Sequence, residues 1–104
     1  MFSIAHIRGG VMAANFKILV HHSSESLHLK LVGDFDGTSA YEVINAMLEN
    51  GSSECSHRIF IHTASLKEIH PFGKAILEKN LSMFKRQDIK IIFTGEHAAQ
   101  FTPL

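Results

Sequence analysis

Eight histidines in 104 residues are the side chains here with the most latent chemistry. His21 and His28 flank the polar stretch Ser23-Ser24-Glu25-Ser26. If two strands turn back on each other there, the imidazoles meet on one sheet face as a pair able to chelate zinc or copper. A catalytic metal centre wants a third ligand, and no HxxxH or HExxH spacing supplies one. His62 and His70 flank a loop at the carboxyl end of a predicted strand, where α/β proteins hold ligands. Imidazoles on surfaces and strand edges are far commoner than ligands, so no tightly bound metal and no cofactor are expected. Asp34 and Asp36 bracket Phe35 and have the composition of an acid/base pair or a cation site, although turn-forming aspartates are the ordinary reading. Cys55 sits in a polar connection with no basic helix terminus near it and reads as a loop thiol. The chain contains no GxSxG elbow, P-loop or GxGxxG. A protein that is not an enzyme is the expectation.

Composition narrows the class. A chain of 104 residues, 45% hydrophobic, suffices for one domain with a buried core and leaves no room for a second. Ten Lys plus Arg balance ten Asp plus Glu, which removes the main electrostatic argument for direct nucleic acid or anionic membrane partners. A single cysteine excludes a disulfide framework. No apolar run reaches the ~18 residues of a membrane span. Arg8 alone, with no long apolar stretch behind it, makes no secretory signal, so a cytoplasmic protein is expected.

The elements that must position these groups are legible from periodicity. Residues 1–15 show no clean period and read as a loosely ordered leader, or as a segment preceding an internal start at Met12. The domain proper is expected over 16–104. Phe16, Ile18, Val20 and then Leu27, Leu29, Leu31 alternate with polar residues, predicting an antiparallel hairpin. Gly33 to Gly37 is expected to end the second strand, with Ser39 as N-cap and Glu42 completing a capping box. Ala40, Val43, Ile44, Met47 and Leu48 mark the buried face of the helix that follows, and Asn50-Gly51 stops it. Ile59-Phe60-Ile61 runs without alternation, as in a strand buried on both faces. Residues 63–70 read as a connection anchored by Leu66 and Ile69. Pro71 opens a second helix with the stripe Gly73, Ile76, Leu77, Leu81, Phe84. Ile89, Ile91 and Phe93 form a last strand, and residues 96–101 one more helical turn. The order β-β-α-β-α-β-α specifies a single-domain α/β fold with a mixed, largely parallel sheet.

Two segments then resemble a known family. Leu29-Lys-Leu-Val-Gly33-Asp-Phe35-Asp36-Gly-Thr-Ser39-Ala40 is similar to the entry into the first helix of STAS domains, the anti-sigma factor antagonist family. Leu66-Lys-Glu-Ile69-His70-Pro71-Phe72-Gly73 is similar to that family's second hallmark, an apolar pair followed by Asp-Ser/Thr-Ser-Gly. The resemblance implies a non-catalytic protein–protein interaction module in bacterial transcription regulation. Its partner would be an anti-sigma factor or a serine kinase-like protein, contacted through Asp36, Ser39, His70, Pro71, Phe72, Gly73 and Lys74. Family members are switched by phosphorylation just before the glycine, where a phosphate adds about −2 charge. Phe72 stands there and carries no hydroxyl, so regulation without that phosphorylation is implied, with Thr38, Ser39, Thr63 and Ser65 left as other hydroxyls. The family usually continues past the third helix. The shortened C-terminus would leave a sheet edge or helix face open to a partner or to a second copy as a homodimer. Two other readings stand beside this one. One is a STAS-type subunit of a transport or lipid-trafficking complex; the other is a small metal- or ligand-binding protein using His21, His28, His62 or His70.

Overall fold

Alternation builds the sheet as expected. The computed structural model describes residues 3–4, 15–23, 26–51, 58–85 and 89–101. Strand β2 (Phe16–His22) buries Phe16, Ile18 and Val20, and β3 (Ser26–Phe35) buries Leu27, Leu29, Leu31 and Phe35. The two pair antiparallel with His21 opposite His28. A two-residue strand, β1 (Ser3–Ile4), adds antiparallel to the outer edge of β2. On the other side of β3 lies β4 (Arg58–His62), parallel to it, and β6 (Lys90–Thr94) is parallel to β4. Strand β3 is ten residues long, and its second half meets a further short strand, β5 (Leu66–Ile69). Helix α1 (Gly37–Gly51) follows β3, α2 (Pro71–Lys85) follows β5, and α3 (Ala98–Phe101) follows β6. The result is a mixed α/β domain with a mostly parallel sheet and three helices. None of the described helices is long and apolar enough to cross a membrane.

The core lies between one face of this sheet and the helices. Leu29, Leu31, Ile59 and Ile61 meet Val43, Met47 and Leu77 in a single buried cluster. Phe101 closes one end, with its ring edge-on to Phe35 at 5.2 Å and stacked on Phe93 at 5.3 Å.

Three expectations need correction. Strand β4 is buried on one face only: Ile59 and Ile61 are in the core while Arg58 is exposed and Phe60 half-buried. Its apolar run arises because Phe60 packs on neighbouring rings of the uncovered face, not beneath a second helix layer. Residues 66–69, read as a connection, form β5, because β3 outruns β4 and leaves ladder groups for another strand. Strand β3 ends within Gly33–Gly37 as expected, passing Gly33 with a register shift and reaching Phe35. Leu48, assigned to the buried face of α1, is 46% exposed near the end of the helix. Of the first 15 residues, 1–2 and 5–14 lie outside the described residues, as do Cys55 and His57.

Candidate functional site

The starts of α1 and α2 are fixed by hydrogen bonds from the residues just before them. Asp36, not Ser39, caps α1: its Oδ1 accepts the Ser39 backbone N–H at 2.9 Å, and its carbonyl accepts the Ala40 N–H at 2.9 Å. The helix begins two residues before the predicted cap because the Asp side chain reaches an N–H of the first turn. Ser39 is wholly buried instead, its hydroxyl lying 2.7 Å from the Asp34 carbonyl and 3.0 Å from Asp36 Oδ1. The Ser39 N–H is the main influence holding the Asp36 carboxyl below the usual carboxylate range. The Ser39 hydroxyl and the charge of His70 act the same way, while partial burial opposes them. That carboxylate is committed to capping rather than to acid/base work.

At α2, His70 donates its N–H to the Phe35 carbonyl at 2.8 Å and accepts the Lys74 N–H at 3.1 Å, which makes it the cap. Pro71 occupies the first helical position, where a missing N–H costs nothing. Gly73 is buried hard against the Asp36 loop: a methyl group there would lie 2.5 Å from the Asp36 carbonyl oxygen. The two hallmark segments, separated in sequence, therefore form one surface. Phe72 is 71% exposed and Tyr41, on the outer face of α1, is 57% exposed. Between them runs a shallow cleft lined by Asp36, Gly37, Thr38, Tyr41 and Phe72. The Phe72 ring rests over Gly37, close enough that a Cβ at 37 would stand 3.0 Å from it. His70 is exposed beside Glu68, 3.6 Å away, and Lys74 is half-exposed, 4.0 Å from Glu78.

Of the residues expected to contact a partner, Asp36, His70, Pro71, Phe72 and Lys74 share this surface. Ser39 and Gly73 lie beneath it and shape it, a correction that follows from their burial. Among the hydroxyls, Thr63 is also buried, donating to the Thr94 carbonyl at 2.7 Å, whereas Thr38 and Ser65 are half-exposed. Tyr41 escaped the sequence reading. Its position opposite the buried stripe of α1 was visible there, but nothing in the spacing showed that α2 would bring Phe72 beside it.

No family model and no curated protein matches the chain. Solved structures do resemble it in fold. A crystal structure of Mglu superposes with a TM-score of 0.63 at 14% identity, over 71% of this chain and 18% of that one. Mglu in its L-glutamate binding form gives 0.60 at 11% identity, over 82% of this chain and 27% of Mglu. The chain thus spans about a quarter of Mglu or less. An uncharacterised DUF3478-family protein from Shewanella loihica PV-4, described as having a SpoIIAA-like fold, gives 0.49 at 20% identity, over 94% of this chain and 86% of that one.

The histidines gather elsewhere, on the sheet face turned away from the helices. His28 Nδ1 lies 3.0 Å from His62 Nε2, and His62 Nδ1 lies 2.6 Å from Thr94 Oγ1. The two rings are within 3° of parallel, with centroids 5.2 Å apart. Those separations belong to rings lying edge to edge in one plane, with nitrogens pointed at each other across one shared proton. Nitrogens so aimed do not converge on a metal ion. No group of three or more metal-ligating side chains occurs among the described residues. His70, at the α2 cap, is not part of this cluster.

Burial lowers the pKa of His28, and the charge of His21 adds to it. Burial lowers that of His62 as well, followed by His28 and Lys30. A histidine whose folded pKa is depressed takes up its proton later than in the unfolded chain, so acid favours unfolding. The stability from this pair is fully present above the unfolded value of 6.5 and declines as pH falls through it. The melting temperature is expected to drop between about pH 7.5 and pH 5.5. A His28→Gln, His62→Gln variant should show a flatter profile by calorimetry. A wild-type profile as flat as the variant's would contradict the assignment.

Proposed function

We propose that this protein is a non-catalytic docking module, resembling anti-sigma factor antagonists, that binds a protein partner through the surface formed by Asp36, Tyr41, His70, Pro71 and Phe72. The observation that carries the reading is the exposure of Phe72, 71% open to solvent at the first turn of α2 and next to a second exposed aromatic. An aromatic placed on a rigid helix end, beside a capping carboxylate and a proline, matches the make-up of an interface anchor. The partner class is an anti-sigma factor or a serine kinase-like protein. Phe72 stands where related modules carry the phosphoacceptor, so binding here is not switched by phosphate at that position.

Phe72→Asp tests this. The substitution puts a negative charge where a phosphorylated relative would have one, and it touches no buried core residue. Isothermal titration against anti-sigma or kinase-like proteins encoded beside this chain should show affinity for one of them. The variant should lose about 2 kcal/mol or more of that binding if Phe72 is a hot spot. Its melting temperature should stay at the wild-type value. A folded variant that binds as tightly as wild type would defeat the proposal.

A further inference from the structure

The chain is neutral overall, yet the fold sorts its charges. On the sheet face away from the helices stand Lys17 of β2, Lys30 of β3, Arg58 of β4 and Lys90 of β6. Each alternates with residues buried in the core or, beside Lys90, packed against it, so all four share the other side of the sheet. Arg58 and Lys90 are direct neighbours in the β4–β6 register, two like charges side by side. None of the four has a carboxylate partner among the described residues, where ion pairs join His70 to Glu68 and Lys74 to Glu78. The carboxylates of this face, Asp34 and Glu68, sit together at its far end, where β3 meets β5. Lys17, opposite Val32, lies at that end too, whereas over the first half of β3, β4 and β6 the face carries Lys30, Arg58 and Lys90.

We propose that this open face is a second docking surface, and that its occupant is an acidic polypeptide segment. Like charges held side by side cost free energy in the isolated fold, and an anionic partner recovers it. Three kinds of anion are available, and the side chains between the cations choose among them. Single-stranded nucleic acid binds sheets by stacking bases on open aromatic faces. Here the faces are taken up by one another, since His28 stacks on Phe60 at 4.7 Å and 6° and is tilted against His21 at 5.7 Å. A membrane surface wants exposed apolar anchors as well as cations. The large exposed apolar side chains are Tyr41, Leu48 and Phe72, all on helices, while Leu19, Val32, Phe60 and Ile92 are half-buried within the face. What remains on offer is cationic groups and imidazole edges, which suit carboxylates.

The histidine pair makes this surface sensitive to acid. His28 and His62 face His21 from β2, Lys30 from β3, Arg58 from β4, and Lys90 with Thr94 from β6. A further proton on the pair turns the N–H···N contact into a charge-assisted one and adds a cation to the face. An acidic ligand favours that protonated form, so its affinity rises as pH falls.

Fluorescence anisotropy with a short labelled peptide of alternating Asp and Glu, at low salt, tests the surface directly. Wild-type protein should bind the peptide. Arg58→Glu with Lys90→Glu should weaken binding by about tenfold or more, an effect expected for reversed charge at a complementary surface. Lys17→Glu, at an exposed position, should weaken it in the same direction with circular dichroism unchanged. Lowering the pH from about 7 to about 5.5 should tighten binding. That gain should shrink in His28→Gln, His62→Gln. Phe72→Asp should leave peptide binding unaltered, which separates this surface from the one at α2. No binding, or binding indifferent to the charge reversals, would overturn the proposal. So would tighter binding of an oligouridine RNA or of phosphatidylserine vesicles than of the peptide.

Discussion

Gly33→Val is expected to destabilise the protein by about 3–5 kcal/mol, from backbone strain and overpacking acting together. Gly33 adopts φ +106°, a conformation L side chains rarely hold. It does so within β3, where the pairing with β5 shifts register between Gly33 and Asp34. The space around it is also closed: a Cβ there would overlap the Asn15 carbonyl oxygen. That same oxygen accepts the Asp34 N–H at 2.9 Å, so it cannot swing away without breaking the bond. Any side chain must therefore part β2 from β3 at Phe16, whose ring packs edge-on against Phe35. A loss of this size is a large share of the ~5–15 kcal/mol that holds an ordinary domain together. Urea titration should show an early midpoint, or no cooperative transition at all. A midpoint within experimental error of wild type would mean that the strand bends elsewhere.

How much of this was legible in the residues depends on where the information lies. The β2–β3 hairpin was readable because Phe16, Ile18, Val20, Leu27, Leu29 and Leu31 are spaced for one buried face, and that pattern has a single solution. The α2 stripe was readable for the same reason, down to Leu77, Leu81 and Phe84 in the core. Strand β5 was not, because Leu66-Lys67-Glu68-Ile69 is four residues long and its burial is asymmetric. It is a strand only because β3 leaves unpaired groups beside it, a tertiary fact. The cap of α1 was misplaced by three positions because Ser39 and Asp36 are both good capping residues, and local propensity does not rank them. Geometry does, by burying Ser39.

The proposed docking site was half legible. The resemblance located Asp36, His70, Pro71 and Phe72, and the fold brings them together. Tyr41 enters only through the packing of α1 beside α2. The basic sheet face was hidden by arithmetic: ten positive charges against ten negative say nothing about segregation. Lys17, Lys30, Arg58 and Lys90 are far apart in the chain, and only the pairing of four strands puts them on one face, with Arg58 and Lys90 side by side.

Gly73→Ala is the second large effect expected, and it separates building the docking surface from belonging to it. The added methyl would stand 2.5 Å from the Asp36 carbonyl oxygen, 2.6 Å from its carbon and 3.0 Å from its Cα. All three are backbone atoms, so no flexible side chain can yield. The Asp36 carbonyl is also held by the Ala40 N–H at 2.9 Å, in the first turn of α1. Relief must come from moving the start of α2 outward, which stretches the bond from the His70 N–H to the Phe35 carbonyl, 2.8 Å in the native fold. Overpacking of this kind costs about 1–3 kcal/mol, so the melting temperature should fall by roughly 4–20 °C for a domain of this size. Pro71 and Phe72 move with the helix end, and affinity for a partner bound there should fall with them. Phe72→Asp, by contrast, should lose affinity at an unchanged melting temperature. If Gly73→Ala melted like wild type yet lost the partner, Gly73 would itself be a contact residue. If it melted lower but bound normally, the partner would have to sit away from the start of α2.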